Sequence, residues 1–179
     1  MKKSISLFLM VLLFSMLFSE DVKKAATKID QFSSKTGSIL KFIDTNLPSL
    51  KLSFGVADVK IRKIIGGGKV GYFLQISKEE KYDTKKASIA YEDLIEVIKA
   101  LETLRLESST DIALSPDYLE NKFITEDGFQ IGYYVSNGKL NWYLTLDKYG
   151  SGSRIFLKDV ESIETILLLA KSKIEEFMQ

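Results

Sequence analysis

The chain has 179 residues, 45% of them hydrophobic and 27% charged, with 25 basic against 24 acidic residues and neither cysteine nor histidine. That is enough apolar chain for a packed core without disulfide or metal staples. Disulfides, thiolate metal sites and every Ser-His or Cys-His arrangement are excluded, along with the usual general base near neutral pH, so an enzyme would have to work through Asp, Glu or Lys.

Residues 1–19 begin with Lys2 and Lys3 and continue in a fourteen-residue apolar run from Ile5 to Phe18. A bilayer span takes roughly twenty apolar residues, so the run reads as a secretory signal peptide cut after Ser19. An uncleaved anchor is the alternative, because Leu17 is larger than the residue preferred two positions before a cut. No cysteine follows the run, which excludes lipoprotein anchoring. The expected location is periplasmic or secreted, with no stable membrane span after cleavage. Removing the leader takes two lysines and no acidic residue, leaving a net charge near −1. A neutral chain gains little sequence-independent attraction to phosphates, which argues against a dedicated nucleic-acid binder.

Val22, Ala25, Ile29, Phe32, Thr36, Ile39 and Ile43 recur at intervals of three and four, predicting an amphipathic N-terminal helix or linker over residues 20–49. Gly37 and the serines around it interrupt that stripe, and Asn46-Leu47-Pro48 closes it. The segment is expected to pack on the domain or to act as a stalk; a partner-binding or self-associating role is the other reading.

The rest of the chain is written twice. Residues 69–78 align with 139–148 at an offset of seventy, and residues 59–68 align with 129–138. Further on the offset becomes sixty-eight, placing Ile95, Glu96 and Ile98 on Ile163, Glu164 and Ile166. A duplication that preserves its hydrophobic pattern constrains architecture more than a single motif does. In the first copy, residues 50–106, strands are predicted around Leu52, Phe54 and Val56, over 59–65, over 69–77 and over 85–90, then a helix from Tyr91 to about Arg105. The second copy, residues 120–179, gives strands at 122–125, 129–135, 139–147 and 154–157, then a helix over 160–177. Asn137-Gly138 is a strong hairpin signal where the other copy has Gly67-Gly68. Residues 107–119 read as a linker. The fold class is α+β: a duplicated β-β-β-β-α unit forming one pseudo-twofold domain of antiparallel sheets with two helices.

Alternation along the strands assigns Val70, Tyr72, Leu74 and Ile76, and in the second copy Leu140, Trp142, Leu144 and Leu146, to the core face. Lys60, Arg62, Ile64, Gly71, Phe73 and Gln75 then point outward, as do Gln130, Gly132, Tyr134, Asn141, Tyr143 and Thr145. On that basis Trp142→Ala is expected to cost about 3–5 kcal/mol as a core truncation and Tyr143→Ala little. Phe73 and Tyr143 are equivalents in the two copies, as are Ile64 and Tyr134. Aromatics beside basic and amide side chains on an exposed sheet can stack flat ligands, so Lys60, Arg62, Ile64, Phe73, Tyr134 and Tyr143 are the candidate ligand-binding residues. The competing uses of this face are cover by the N-terminal helix and a homodimer interface, where Tyr is common.

Gly66-Gly67-Gly68-Lys69 lacks phosphate-loop spacing and reads as a turn, and residues 147–153 hold too few carboxylates for a calcium loop. Glu79-Glu80 and Glu126-Asp127 read as solvated loop charges. Glu92-Asp93 and Asp159 with Glu161 fall in first helical turns, where negative charge favours the helix dipole. No catalytic pair, metal site or cofactor is expected.

The tandem unit, with its hairpin, the strand ending Leu74-Gln75-Ile76-Ser77-Lys78, a short strand and the helix opening Tyr91-Glu92-Asp93-Leu94, resembles the PUR repeat and the wider Whirly class of folds over residues 50–178. That resemblance implies single-stranded nucleic-acid binding on exposed strands, with Lys60, Arg62, Phe73, Tyr134 and Tyr143 by position. Gln130 and Gly132 stand where the first copy has Lys60 and Arg62, which departs from a basic surface. The first expectation is therefore an exported, non-enzymatic binding module for a protein, glycan or small molecule; a Whirly/PUR-like single-strand binder is the second.

Overall fold

The hydrophobic alternation and turn residues build two four-stranded antiparallel sheets, each followed by a helix. The computed structural model describes residues 26–34, 36–147 and 152–179; the signal-peptide reading and the start of the predicted N-terminal helix fall outside them. A short helix, α1 (Lys28–Ser33), precedes β1 (Leu40–Lys51), β2 (Val56–Gly66), β3 (Lys69–Glu79), β4 (Thr84–Ala90) and helix α2 (Tyr91–Ala113). There follow β5 (Tyr118–Ile124), β6 (Gln130–Ser136), β7 (Lys139–Thr145), β8 (Arg154–Phe156) and helix α3 (Val160–Met178). The sheets run in sequence order, β1-β2-β3-β4 and β5-β6-β7-β8.

The duplication holds at the level of register. Ile64 pairs with Gly71 and Arg62 with Phe73, and seventy residues on, Tyr134 pairs with Asn141 and Gly132 with Tyr143. The turn between β6 and β7 is built on Asn137 and Gly138, both at positive φ, matching Gly67 and Gly68 in the other copy. Asparagine and glycine adopt that conformation most cheaply, which is why those residues mark the turn.

Besides β5, which starts at Tyr118 rather than 122, three boundaries differ from the sequence reading. Helix α1 ends at Ser33, and Leu40–Lys51 is not helical but the first strand, paired with β2 along its length. The three-four spacing of Ile39 and Ile43 is overridden because β2 needs a neighbour for its outward N–H and C=O groups. Pro48 is accommodated at a register shift between Leu47 and Leu50 on this edge strand, where a missing donor costs least. The strand expected around Phe54 is instead a turn between β1 and β2. Finally, α2 continues into the expected linker as far as Ala113. There the Tyr133 hydroxyl donates to Asp111 Oδ2 at 2.6 Å, and Asn121 Nδ2 donates to Glu107 Oε2 at 2.7 Å. Burial first, then the Asp111 bond, pushes the Tyr133 phenol up to about 12.

One core joins the two halves: Leu50, Val59, Leu74 and Ile89 of the first sheet lie in the same cluster as Ile131, Tyr133, Leu144 and Ile155 of the second. The helices are partly exchanged. α2 packs on β5 and β6 as well as on β3 and β4, while α3 lies against β1 and β2 of the other copy. Tyr72 donates to the Phe177 carbonyl at 2.7 Å and Tyr91 to Glu175 Oε1 at 2.9 Å, each bond running from the first copy to α3. Leu52 bridges to Leu157, and Ser53 N donates to the Phe156 carbonyl at 2.9 Å, so the sheets also meet through their backbones. Of the expected core face, Tyr72, Leu74, Ile76, Leu144 and Leu146 are buried. Leu140 and Trp142 are half-buried, and Val70, beside the turn, is half-exposed.

Candidate functional site

The outer face of the first sheet carries the cationic and aromatic residues singled out by alternation, but none presents an open surface. Lys60 Nζ lies 2.8 Å from Asp44 Oδ2, and Arg62 grips the same carboxylate with Nε and Nη2, each at 2.7 Å. Asp44 stands on β1, across the ladder from Arg62. The bidentate bond from Arg62 holds the Asp44 carboxyl well below the usual range, against the opposing effect of burial. Ile64 and Phe73 form a second, small cluster with Ala90, covered by Ile29 and Phe32 of α1. Phe32 meets Phe73 edge-on at 6.3 Å between centroids, and Phe73 is left 4% exposed. Gly71 makes room: a Cβ there would come within 2.9 Å of the Phe32 ring.

Helix α1 is only six residues long and would not persist without anchors. Thr27 and Asp30 close a capping box at its start. Lys28 N donates to both oxygens of Asp127, at 3.1 and 3.0 Å, and Lys28 Nζ reaches Asp93 Oδ1 at 2.5 Å. Glu92 and Glu126 each lie 3.8 Å from the same ammonium. Burial alone would lower the Lys28 pKa, but the Asp93 hydrogen bond and the surrounding carboxylates raise it. Asp127 moves up, chiefly because it is desolvated. Of the carboxylates read from sequence as dipole partners or solvated loop charges, Glu92, Asp93, Glu126 and Asp127 therefore fasten α1 down.

On the second sheet Tyr143 is completely buried although it points away from the main core. The Arg154 guanidinium lies 3.9 Å from its ring centre, and its hydroxyl donates to Glu120 Oε1 at 2.8 Å. Burial and that bond push its phenol well above the ordinary value. This corrects the expected ranking of Trp142 and Tyr143, since Trp142 is the half-buried one. Tyr134 is half-buried among Tyr118, stacked at 6.1 Å, Phe156 at 6.2 Å and Tyr143 at 6.5 Å. Ile64 and Phe73 thus come together on one sheet, as do Tyr134 and Tyr143 on the other. Among the described residues no hydrogen bond or ring contact links the two sets.

A cleft of about 740 Å³ opens instead where α1, the outer face of the first sheet and the turn before β6 converge. Phe42, Arg62 and Gln75 form its floor, Lys86 and Ser88 of β4 one margin, and Asp127 with Phe129 another. Gln75 is 1% exposed; its Nε2 donates to Ser88 Oγ at 2.9 Å, while its Oε1 has no partner. Thr145, its equivalent in the second copy, likewise has a buried, unpartnered Oγ1. An unmade buried hydrogen bond costs about 1–3 kcal/mol, so both polar side chains weigh against stability. Ser88, Lys86 and Asp127 were not among the candidates from sequence. A polar residue shared by Gln75 and Thr145 in otherwise apolar strands was the available signal, whereas proximity to Asp127 depends on the tertiary fold.

Among the described residues no cluster of three or more carboxylates is placed to hold a metal, and no described helix is long and apolar enough to cross a membrane. No protein-family model, curated protein or solved structure matches the chain. The fold and the cleft define the class, an α+β protein of two interlocked β4-α units with a cleft on the outer face of the first.

Proposed function

We propose that this protein is a non-enzymatic binding module, exported by the leader read in residues 1–19, and that its ligand site is the cleft between α1, the first sheet and the turn at Asp127. The observation that carries the reading is Gln75, a buried amide with an unpartnered carbonyl at the floor of an open cleft. The Oε1 atom itself is covered, so a ligand donor recovers the hydrogen bond that folding leaves unmade once the amide turns toward the cleft. The half-exposed Phe42 ring beside Arg62, 5.6 Å away, adds an apolar contact. Most of the remaining lining is polar or charged, with Asp30, Gln31, Lys86 and Glu126 among it, so the site suits a polar ligand more than an apolar one.

The test is a titration of the isotopically labelled full chain with N-methylacetamide, followed by NMR. Shifts concentrated at Gln75, Ser88 and Phe42, and abolished by Gln75→Leu, are the expected outcome. Shifts spread evenly, or collected around Tyr118 and Phe156, would overturn the reading.

Single-stranded nucleic acid is the second reading, and it rests on the ring cluster of the second sheet. Tyr118 is 60% exposed and Phe156 39% exposed beside Tyr134, enough to offer one or two stacking positions. Steeply salt-dependent binding of a labelled oligonucleotide, lost in Tyr118→Ala, would favour it over the cleft.

A further inference from the structure

The cleft crosses the outer face of the first sheet and reaches its edge strand, β4, at residues 86–88, and the pairing pattern fixes which backbone groups that edge offers. Glu80 N donates to the Asp83 carbonyl at 2.8 Å, closing the hairpin between β3 and β4. In an antiparallel ladder, hydrogen-bonded and non-bonded pairs alternate. Counting from Glu80 and Asp83 through the register, Lys85, Ala87 and Ile89 direct their N–H and C=O groups at β3. Thr84, Lys86 and Ser88 direct theirs the other way. Thr84 N is taken by its neighbour Asp83, 2.7 Å from Oδ1. The outward groups of Lys86 and Ser88 have no hydrogen-bond partner among the described residues, and both residues line the cleft.

We infer that the cleft receives an extended peptide bearing basic side chains, which adds to the first sheet as a fifth strand alongside β4. The inference rests on the cleft reading above. Four main-chain groups of Lys86 and Ser88 stand at strand spacing, the arrangement that binds a peptide through its backbone. Side chains of that peptide directed to the outer face pass over Ser88 and Gln75, whose unpartnered Oε1 takes a donor once the amide turns toward it. The charge of the walls selects the partner. Asp30, Glu126 and Asp127 line the cleft against Arg62 and Lys86; Arg62 is already gripped by Asp44 and the Lys28 ammonium by Asp93, so these carboxylates outnumber the remaining cation, Lys86. An excess of carboxylates attracts lysine and arginine and repels phosphate, so it favours a peptide over a nucleic acid.

The test is selection from a displayed library of random linear peptides on the full-length protein, with Ser88→Ala and Ser88→Pro alongside. Proline at position 88 removes the outward N–H and leaves the bonds between β3 and β4 intact, a substitution that edge strands accept; alanine removes only the hydroxyl. Expected are peptides enriched in lysine and arginine that bind Ser88→Ala and lose about tenfold or more on Ser88→Pro. Should Ser88→Pro fail to fold, methylating alternate backbone nitrogens of the selected peptides makes the same test from the other side and should weaken them equally. The inference is overturned if no peptide is enriched, if the selected peptides are acidic, or if they tolerate both proline and backbone methylation. If N-methylacetamide still gathers at Gln75 when no peptide is enriched, the cleft reading stands and only the peptide is wrong; if neither binds, both fall.

Discussion

Tyr143 is closed off by charged neighbours as well as by the Tyr134 ring, with Arg154 3.9 Å from its ring centre and Glu120 on its hydroxyl. Truncating it removes a large buried ring and strands both partners, so Tyr143→Ala should cost about 3–5 kcal/mol. Trp142→Ala, at a half-buried ring packed edge-on against Tyr133 at 4.9 Å, should cost about 2 kcal/mol. Denaturant midpoints of the two variants give the ranking directly. Asp44 is the other residue whose environment makes a sharp prediction. Its pKa is depressed in the folded chain, so its contribution is complete above about pH 4, its ordinary pKa, and drains away as the pH falls below that. Asp44→Asn should therefore be destabilised by about 1 kcal/mol at neutral pH, with the deficit closing in acid. A deficit that grew on acidification would contradict the role assigned to the Arg62–Asp44 pair.

At the scale of elements, α1 behaves as a small cover fastened at two points. One is polar, Lys28 among Asp93 and Asp127; the other is Phe32 seated over Gly71. Phe32→Ala should cost about 1–2 kcal/mol, since the ring is half-buried. Gly71→Val should lift the helix by filling the seat, and hydrogen exchange at Gln31 and Phe32 would rise in both variants while the strands stay protected. Protection unchanged in Gly71→Val would mean that Phe32 does not seat there. Because α1 walls the cleft, its attachment also sets how wide the ligand site stands.

For the whole molecule, the consequence of exchange is mutual dependence. α3 belongs by sequence to the second copy yet covers β1 and β2 of the first, and α2 reaches across to β5 and β6. Neither β4-α unit keeps its sheet covered when alone, and a small unit with an open apolar face is marginal at best. Residues 26–113 expressed alone should lack a cooperative unfolding transition, and adding residues 114–179 should restore it. Independent cooperative folding of either piece would show that the exchanged contacts are dispensable.

Periodicity along the chain was enough to establish the two β4-α units and the register repeat of seventy, because alternation, turn glycines and helical stripes are local and were each present twice. It placed Ile64 and Phe73 on the face away from the core, and Tyr134 and Tyr143 likewise. It could not place β1, whose spacing suits a helix and whose extended state comes from pairing with β2. Nor could it give the length of α2, which depends on Tyr133 and Asn121 reaching Asp111 and Glu107. The cleft was hidden for the same reason: Gln75, Ser88, Asp127 and α1 are distant in sequence and meet only when the sheets and helices pack. Local chemistry thus determined the repeating unit, while exposure, pairing and the partners of each charge were decided by contacts between segments that the chain order keeps apart.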